Sequence, residues 1–341
     1  MGWTPSGPGP APDPGVARPL RVATYNILLG GGGRWEEITE LLRAIDADVV
    51  ALQEAGNRQA VETVASLLGY QLCYGEAVTP RHQALLTRLP VEAFHNHRNP
   101  AIFLRNSLEV WVRPRPGSTV PQLAIHTVHL TAAFQRRARA EPERMRELAE
   151  VPHLVMGDFN SLAPGDRVQA TDFFAQISQW RRSGVLQEAG AMGPVPPGLN
   201  RLRWWQTSDA PEGAAEELPE AVRTGLPRLP WLVHPLLEAL PRVEATDAVL
   251  GAMLPRAAVR GMLRAGYVDC FRTLHPRLGG FTCPSYQPAV RIDYIFAKGD
   301  LKSRLSTCRV AGRSGELAEL ARRASDHFPL VAEFDLRSAA H

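Results

Sequence analysis

The chain has 341 residues, 45% hydrophobic and 21% charged, with a formal net charge of +3. This is ordinary globular composition, with enough apolar residues for a core that needs no staples. The mild charge permits an anionic partner without arguing for one.

Cys73, Cys270, Cys283 and Cys308 show no CxxC or CxxxC spacing, so neither a zinc site nor a disulfide framework is indicated. No apolar run reaches the ~18 residues that would span a bilayer. The N-terminal stretch "MGWTPSGPGPAPDPGVARPL" lacks the basic start and apolar segment of an export signal. A cytoplasmic, monomeric protein with reduced thiols and no stable membrane insertion is expected. Residues 1–19 read as a disordered, Pro/Gly-rich lead-in, and 20–337 as a single domain with a Pro-rich, partly helical insertion at about 165–265.

In chain order, Arg21 to Leu28, "RVATYNIL", reads as a strand with Thr24 and Asn26 on one face, followed by the loop "LGGGGRW". Trp35, Ile38, Leu41, Leu42 and Ile45 recur at helical spacing. Val49 to Leu52 is a buried strand that ends in Gln53 and Glu54, and a second helix runs from about Gln59 to Leu68. The runs "ALLTRLPV", "SLEVWVRP" and "LAIHTVHL" are β-like; a charged helix is expected from Phe134 to Glu150. The strand "LVMGDFNS" follows, and "RIDYIFA" and "FPLVAEFDL" are the last strands. Between Ser161 and Val290 the Pro-dense section is read as helical fragments at Leu232–Leu240, Ala245–Leu254 and Arg256–Arg264. Strands mixed with helices, some as hairpin-like neighbours, suggest α/β layers on partly antiparallel sheets.

Strand after strand ends in an acid, an amide or an imidazole: Asn26, Glu54, His129, Asp158 with Asn160, Asp293, and Asp326 with His327. Each has a plainer use. Gly, Asp and Asn favour turns, His129 suits a core, and "SDHF" suits a helix cap. Asp293, inside the apolar "RIDYIFA", is harder to explain, because a buried aspartate costs several kcal/mol (roughly) unless paired. Collected together, these oxygen donors suit a hard divalent cation such as Mg2+. The histidines and a spare carboxylate suit acid–base work on a phosphate.

The motifs "TYNI", "DVVALQE", "HTVHL", "GDFNS", "RIDYIF" and "SDHFPL" occur in that order, and the chain so resembles the endonuclease/exonuclease/phosphatase superfamily, whose members include DNase I. The resemblance implies a DNase I-like four-layer α/β sandwich, two mixed β-sheets face to face with helices outside. It implies Glu54, Asn26 and Asp326 as metal ligands and Asp158 as the base for the attacking water. Asn160 would hold the phosphate or that water. His327 would bind phosphate with Asp293 behind it, and His129 would donate to phosphate or the leaving group. The cofactor it implies is Mg2+, with Mn2+ able to substitute.

"HTVHL" is nearer the DNase I, sphingomyelinase and phosphatase members than the AP endonucleases, which place a tyrosine there. Where DNase I orients this histidine with a glutamate, "TPRHQALLTR" offers Arg81 and no acid. Leu28 stands where AP endonucleases carry a further aspartate. Arg136 and Arg137 are the basic residues expected nearest the site, within reach of substrate phosphates, although their helix also reads as a solvated face. "LLGGGGRW" is a strand-to-helix connection, since no GK[ST] follows it.

The expected function is Mg2+-dependent hydrolysis of phosphate esters, a phosphodiesterase of the nuclease type with nucleic acid as the first candidate partner. The alternatives are a phosphomonoesterase, a sphingomyelinase-like phosphodiesterase, and a catalytically silent binding scaffold.

Overall fold

A computed structural model describes residues 18–77, 81–98, 106–130, 152–173 and 243–337. The expected helices at 134–150 and 232–240, with Arg136 and Arg137, lie outside those residues. Among the described residues two six-stranded sheets form. The first comprises β1 (Leu20–Asn26), β2 (Val49–Gln53), β3 (Gln71–Gly75), β4 (Gln83–Thr87), β11 (Leu305–Val310) and β12 (Leu330–Phe334), in the order β11-β12-β1-β2-β4-β3. The second comprises β5 (Val91–His97), β6 (Ser107–Val112), β7 (Leu123–His129), β8 (His153–Asp158), β9 (Val268–Asp269) and β10 (Asp293–Lys298), in the order β5-β6-β7-β8-β10-β9. Both are mixed: β1 runs parallel to β2 and β7 parallel to β8, while the other pairings are antiparallel.

Helices pack around the two sheets. These are α1 (Trp35–Ile45), α2 (Arg58–Leu67), α3 (Glu244–Met253), α4 (Ala257–Arg264), α5 (Cys270–Leu274), α6 (Leu301–Arg304) and α7 (Ala318–Ala324). Of these, α1, α2, α4 and α7 lie on the outer faces of the sheets. The apolar stripe of α1, Ile38, Leu41, Leu42 and Ile45, packs with Ala23, Tyr25, Val50 and Leu52 on the first sheet. That helix stops where Asp46 turns left-handed and its N–H returns to the Leu42 carbonyl. On the second sheet α4 lays Val259 and Met262 against Val128, Val155, Tyr294 and Phe296. No described helix is long and apolar enough to cross a membrane.

Both faces of the central strands are therefore buried, and the period-2 alternation sorts residues between two cores. Val22, Val49, Ile125, Leu154, Met156, Ile295 and Ala332 point into the space between the sheets, while Ala23, Val50 and Val331 point outward. Each fully buried aliphatic contributes about 1.5–3 kcal/mol. Continuing the alternation toward one end, Thr24 and Asn26 follow Val22, Gln53 follows Ala51, and Thr127 and His129 follow Ile125. Asp158 follows Met156, and Asp293 precedes Ile295. One end of the inter-sheet space is apolar and the other polar.

Local boundaries differ from the sequence reading. β1 ends at Asn26, because Leu28 and Leu29 adopt positive φ of 53° and 48° and turn the chain away. The "RIDYIFA" strand begins only at Asp293. β3 and β11 had no distinct signal; β11 is a largely exposed edge strand. Arg18, assigned to the lead-in, pairs with Asp46 at 2.5 Å and Asp48 at 2.8 Å.

Candidate active site

Sheet register builds the first half of the site. β7 and β8 place His129 opposite Asp158, and β8 and β10 place Asp158 opposite Asp293. Neighbouring strands lie about 4.8 Å apart, so three polar side chains on one face are forced into a row. His129 Nε2 lies 3.2 Å from Asp158 Oδ2. His327, from the loop between α7 and β12, joins the far end of the row with Nδ1 2.8 Å from Asp293 Oδ2. All four are buried.

The opposite sheet supplies the second half. Asn26, last residue of β1, donates from Nδ2 to Asp158 Oδ2 at 3.1 Å. Glu54, just beyond β2, accepts the Leu29 N–H on Oε2 at 2.9 Å. Its Oε1 lies 3.3 Å from Arg81 Nη1 and 3.8 Å from His129 Nε2.

Asp158 and Asn160 share one space, although the strand ends before Asn160. β8 ends at Asp158, Asn160 turns left-handed with φ 45°, and its side chain folds back. The Asn160 backbone N–H donates to Asp158 Oδ1 at 2.8 Å, and Nδ2 donates to Asp158 Oδ2 at 3.1 Å and to the Leu130 carbonyl at 3.0 Å. The turn preference of these residues and their clustering are one feature. Gly157 is required just before: a Cβ there would lie 1.8 Å from the Val128 carbonyl oxygen, so only glycine lets β8 approach β7 at this point.

Strain gathers at the same place. Glu54 has φ 59°, and with Leu28, Leu29 and Asn160 it makes four non-glycine left-handed residues around the site. Each costs on the order of 1–3 kcal/mol and persists only where the surroundings over-determine it. Asn26 Oδ1 accepts the Leu28 N–H at 3.0 Å, and the Gly30 N–H donates to the Glu54 carbonyl at 2.8 Å. Arg34 donates to the Ile27 carbonyl at 3.1 Å and to the Ala324 carbonyl at 2.7 Å, tying the first loop to the segment that carries His327. Ser325 Oγ donates to the Asn26 carbonyl at 2.7 Å.

Beneath the site a buried polar chain crosses between the sheets. Thr24 Oγ1 donates to Gln53 Oε1 at 3.2 Å, Gln53 Nε2 to Thr127 Oγ1 at 3.1 Å, and Thr127 Oγ1 to Gln83 Oε1 at 3.0 Å. Gln83 continues to Asn106 Oδ1 at 3.2 Å. Leaving one such group unpaired costs about 1–3 kcal/mol, so the chain fixes the relative position of the strands from which Asn26, Glu54 and His129 emerge.

Burial by itself would lower the pKa of His327; the nearby Asp293, Cys283 and Asp326 outweigh it and hold the imidazole well above its ordinary range. The carboxylate of Asp293, 2.8 Å away, favours the imidazolium form of His327. Asp326 is raised, first by burial and then by the charge of Glu54, with His327 and Arg34 opposing. Cys283, beside His327, is pushed up to about 12 by burial.

The donor set fits a hard divalent cation. Carboxylates of Glu54, Asp158, Asp293 and Asp326 and the carboxamide of Asn26 are the oxygen ligands such an ion takes. Asp158, Asp293 and His327 each present one ligand atom within 4.8 Å of the others. Asp293 Oδ1 is buried with no hydrogen-bond partner among the described residues. Glu54, expected as the main ligand, is not in that group; in this structure its carboxylate is engaged by Arg81, Leu29 and His129.

Three residues here were not assigned by sequence reasoning. Arg81 had a signal in strand pairing: the β2–β4 register sets Gln53 opposite Gln83, and the Ala55 N–H donates to the His82 carbonyl at 2.8 Å, which brings residue 81 beside Glu54. Arg34 looked like a loop residue, and Cys283 lay in no recognisable spacing.

The family model for the endonuclease/exonuclease/phosphatase family matches residues 23–327. No curated protein sequence matches the chain. Among solved structures it is similar to an AP endonuclease from Archaeoglobus fulgidus, at TM-score 0.54 and 16% identity, covering 93% of this chain and 99% of that one. A variant of the 3′ phosphatase NExo from Neisseria, bound to a product DNA hairpin, gives the same values. Truncated TDP2 from Caenorhabditis elegans matches at TM-score 0.50 and 14% identity, covering 92% of this chain and 97% of that one. With two mixed six-stranded sheets between helices and the family model spanning nearly the whole chain, this protein belongs to the endonuclease/exonuclease/phosphatase family of phosphoric ester hydrolases.

Proposed function

We propose that this chain is a Mg2+-dependent phosphodiesterase that cleaves nucleic acid by attack of water on phosphorus. The observation that carries the reading is the buried row His129, Asp158, Asp293 and His327 facing Glu54 and Asn26 across the mouth of the sandwich. Glu54, Asn26 and Asp326 would hold the ion, and Mg2+ when bound offsets the charge on the non-bridging oxygens and the leaving oxygen.

The remaining roles fall to the chain itself. Asp158 takes the proton of the attacking water; hydrogen bonds from the Asn160 backbone, Asn160 Nδ2 and Asn26 Nδ2 fix the plane of its carboxylate. Since Nδ1 of His327 is committed to Asp293, its Nε2–H is the donor left for a phosphate oxygen, and the raised pKa keeps that proton in place. His129, with Nε2 beside Asp158, donates to a second phosphate oxygen or to the leaving group.

Nucleic acid is the first substrate to try because NExo holds a DNA product and the archaeal neighbour is an AP endonuclease, although at 16% identity both carry only the fold. The test is a hydrolysis panel in Mg2+ or Mn2+ with plasmid DNA, single-stranded RNA, bis-p-nitrophenyl phosphate, a 3′-phosphorylated oligonucleotide, inositol phosphates and sphingomyelin. Cleavage of the nucleic acids and the model diester, lost in Asp158→Asn, is expected. Turnover confined to monoesters or to sphingomyelin would replace this reading with the corresponding alternative.

A further inference from the structure

Cys283 is the reactive group beside the site for which hydrolysis has no use. Its thiol lies in a three-ligand group: Cys283 Sγ, an Asp326 carboxylate oxygen and a His327 imidazole nitrogen all lie within 4.8 Å of one another. The other cysteines described, Cys73, Cys270 and Cys308, are buried and belong to no such group. Burial keeps the Cys283 thiol protonated at neutral pH, which argues against a nucleophile or an oxidation-prone thiolate. A metal that displaces the thiol proton on binding meets no such obstacle, because a coordinating thiol is deprotonated outright.

We propose that Cys283, Asp326 and His327 form a site for a thiophilic divalent ion, of which Zn2+ is the type, and that filling it shuts the active site by withdrawing His327 from phosphate. The mixed sulfur, nitrogen and oxygen set is what Zn2+ takes and Mg2+ does not. Asp293 on His327 Nδ1, at 2.8 Å, is the carboxylate–histidine pairing that orients an imidazole toward a metal; the ion would displace the Nε2 proton to solvent together with the thiol proton, so binding weakens as pH falls. Asp326, the partly exposed member, offers a way in. Cysteine spacing gave no hint of this site, since it uses one cysteine and two ligands some forty residues further on. Binding here stands on the three ligands alone; the loss of activity rests on the role proposed for His327.

Titration of the full-length chain with Co2+ separates the two. Wild type should develop a thiolate-to-cobalt charge-transfer band in the near ultraviolet, and added Zn2+ should bleach it. Cys283→Ser should lack the band while unfolding at a temperature close to wild type; Cys283→Ala serves in its place if the serine variant does not fold. No band in wild type, or a band that survives in the folded variant and so comes from the remaining thiols, overturns the site. With Mg2+ in excess, Zn2+ should inhibit wild type, and the half-inhibiting concentration should rise at least about tenfold in Cys283→Ser. Equal inhibition of both overturns the inhibitory role. The cobalt band needs no turnover, so it reports on this site even if the hydrolase reading fails.

Discussion

Arg291 and Asp293 stand two residues apart in "RIDYIF", both fully buried, yet they anchor opposite kinds of cluster. The Arg291 guanidinium holds Asp166 through Nε at 3.1 Å and Nη2 at 3.0 Å, pairs with Asp269 at 2.7 Å, and lies 4.5 Å from the centre of the Tyr294 ring. Arg272 closes the arrangement with a bond to Asp166 at 2.7 Å. Two arginines face two aspartates, and both Asp166 oxygens are taken. Around Asp293 the balance is different. Glu54, Asp158, Asp293 and Asp326 outnumber the cations His327, Arg34 and Arg81 near them. A charge-balanced buried ion cluster answers its own charges within the fold, whereas a carboxylate-rich one suits a cation.

That contrast can be broken most forcefully on the charge-balanced side. Arg291→Met strips buried Asp269 of its cation and leaves Asp166 with Arg272 alone, and should destabilise the protein by about 3–5 kcal/mol, seen in chemical denaturation. Activity should fall only in step with the folded fraction. Asp158→Asn should do the reverse. Turnover should drop ~10²- to 10⁴-fold while the denaturation midpoint barely moves, because the change removes a like charge from a crowded site. Glu54→Gln should weaken Mg2+ binding at least about tenfold by calorimetry and leave the fold intact. The smallest effect is expected at Arg81. Its pair with Glu54 is partly exposed and worth about 1 kcal/mol or less, so Arg81→Ala should tighten Mg2+ binding by up to about fivefold, a guanidinium having been removed from competition for the same carboxylate. If Arg291→Met cost activity but not stability, the division into a structural and a chemical cluster would be wrong.

How much of this could be read from the chain depends on the range of the interaction. The alternation Val22, Thr24, Asn26 and the polar ends of "DVVALQE", "HTVHL" and "GDFNS" are local, and they brought the candidate site residues into view. The four-layer sandwich came from the order of six motifs. Contacts set by register and by how one sheet sits on the other were not legible. Gln53, Thr127 and Gln83 meet only because β2 and β4, neighbours in one sheet, face β7 in the other. Arg81 reaches Glu54 only through the β2–β4 pairing. Arg291 looked like a strand residue, and its partners Asp166 and Asp269 are 125 and 22 positions away. β11 escaped because Leu305, Cys308 and Val310 fall at uneven spacing in an exposed edge strand and make no apolar period.

Hydrolysis of bis-p-nitrophenyl phosphate by chelator-treated protein, before and after Mg2+ is restored, tests the central claim most directly when Asp158→Asn is run alongside. Activity that vanishes on chelation, returns with Mg2+ in wild type and stays absent in Asp158→Asn is the predicted result. Diesterase activity that ignores the chelator, or that persists in Asp158→Asn, would contradict it.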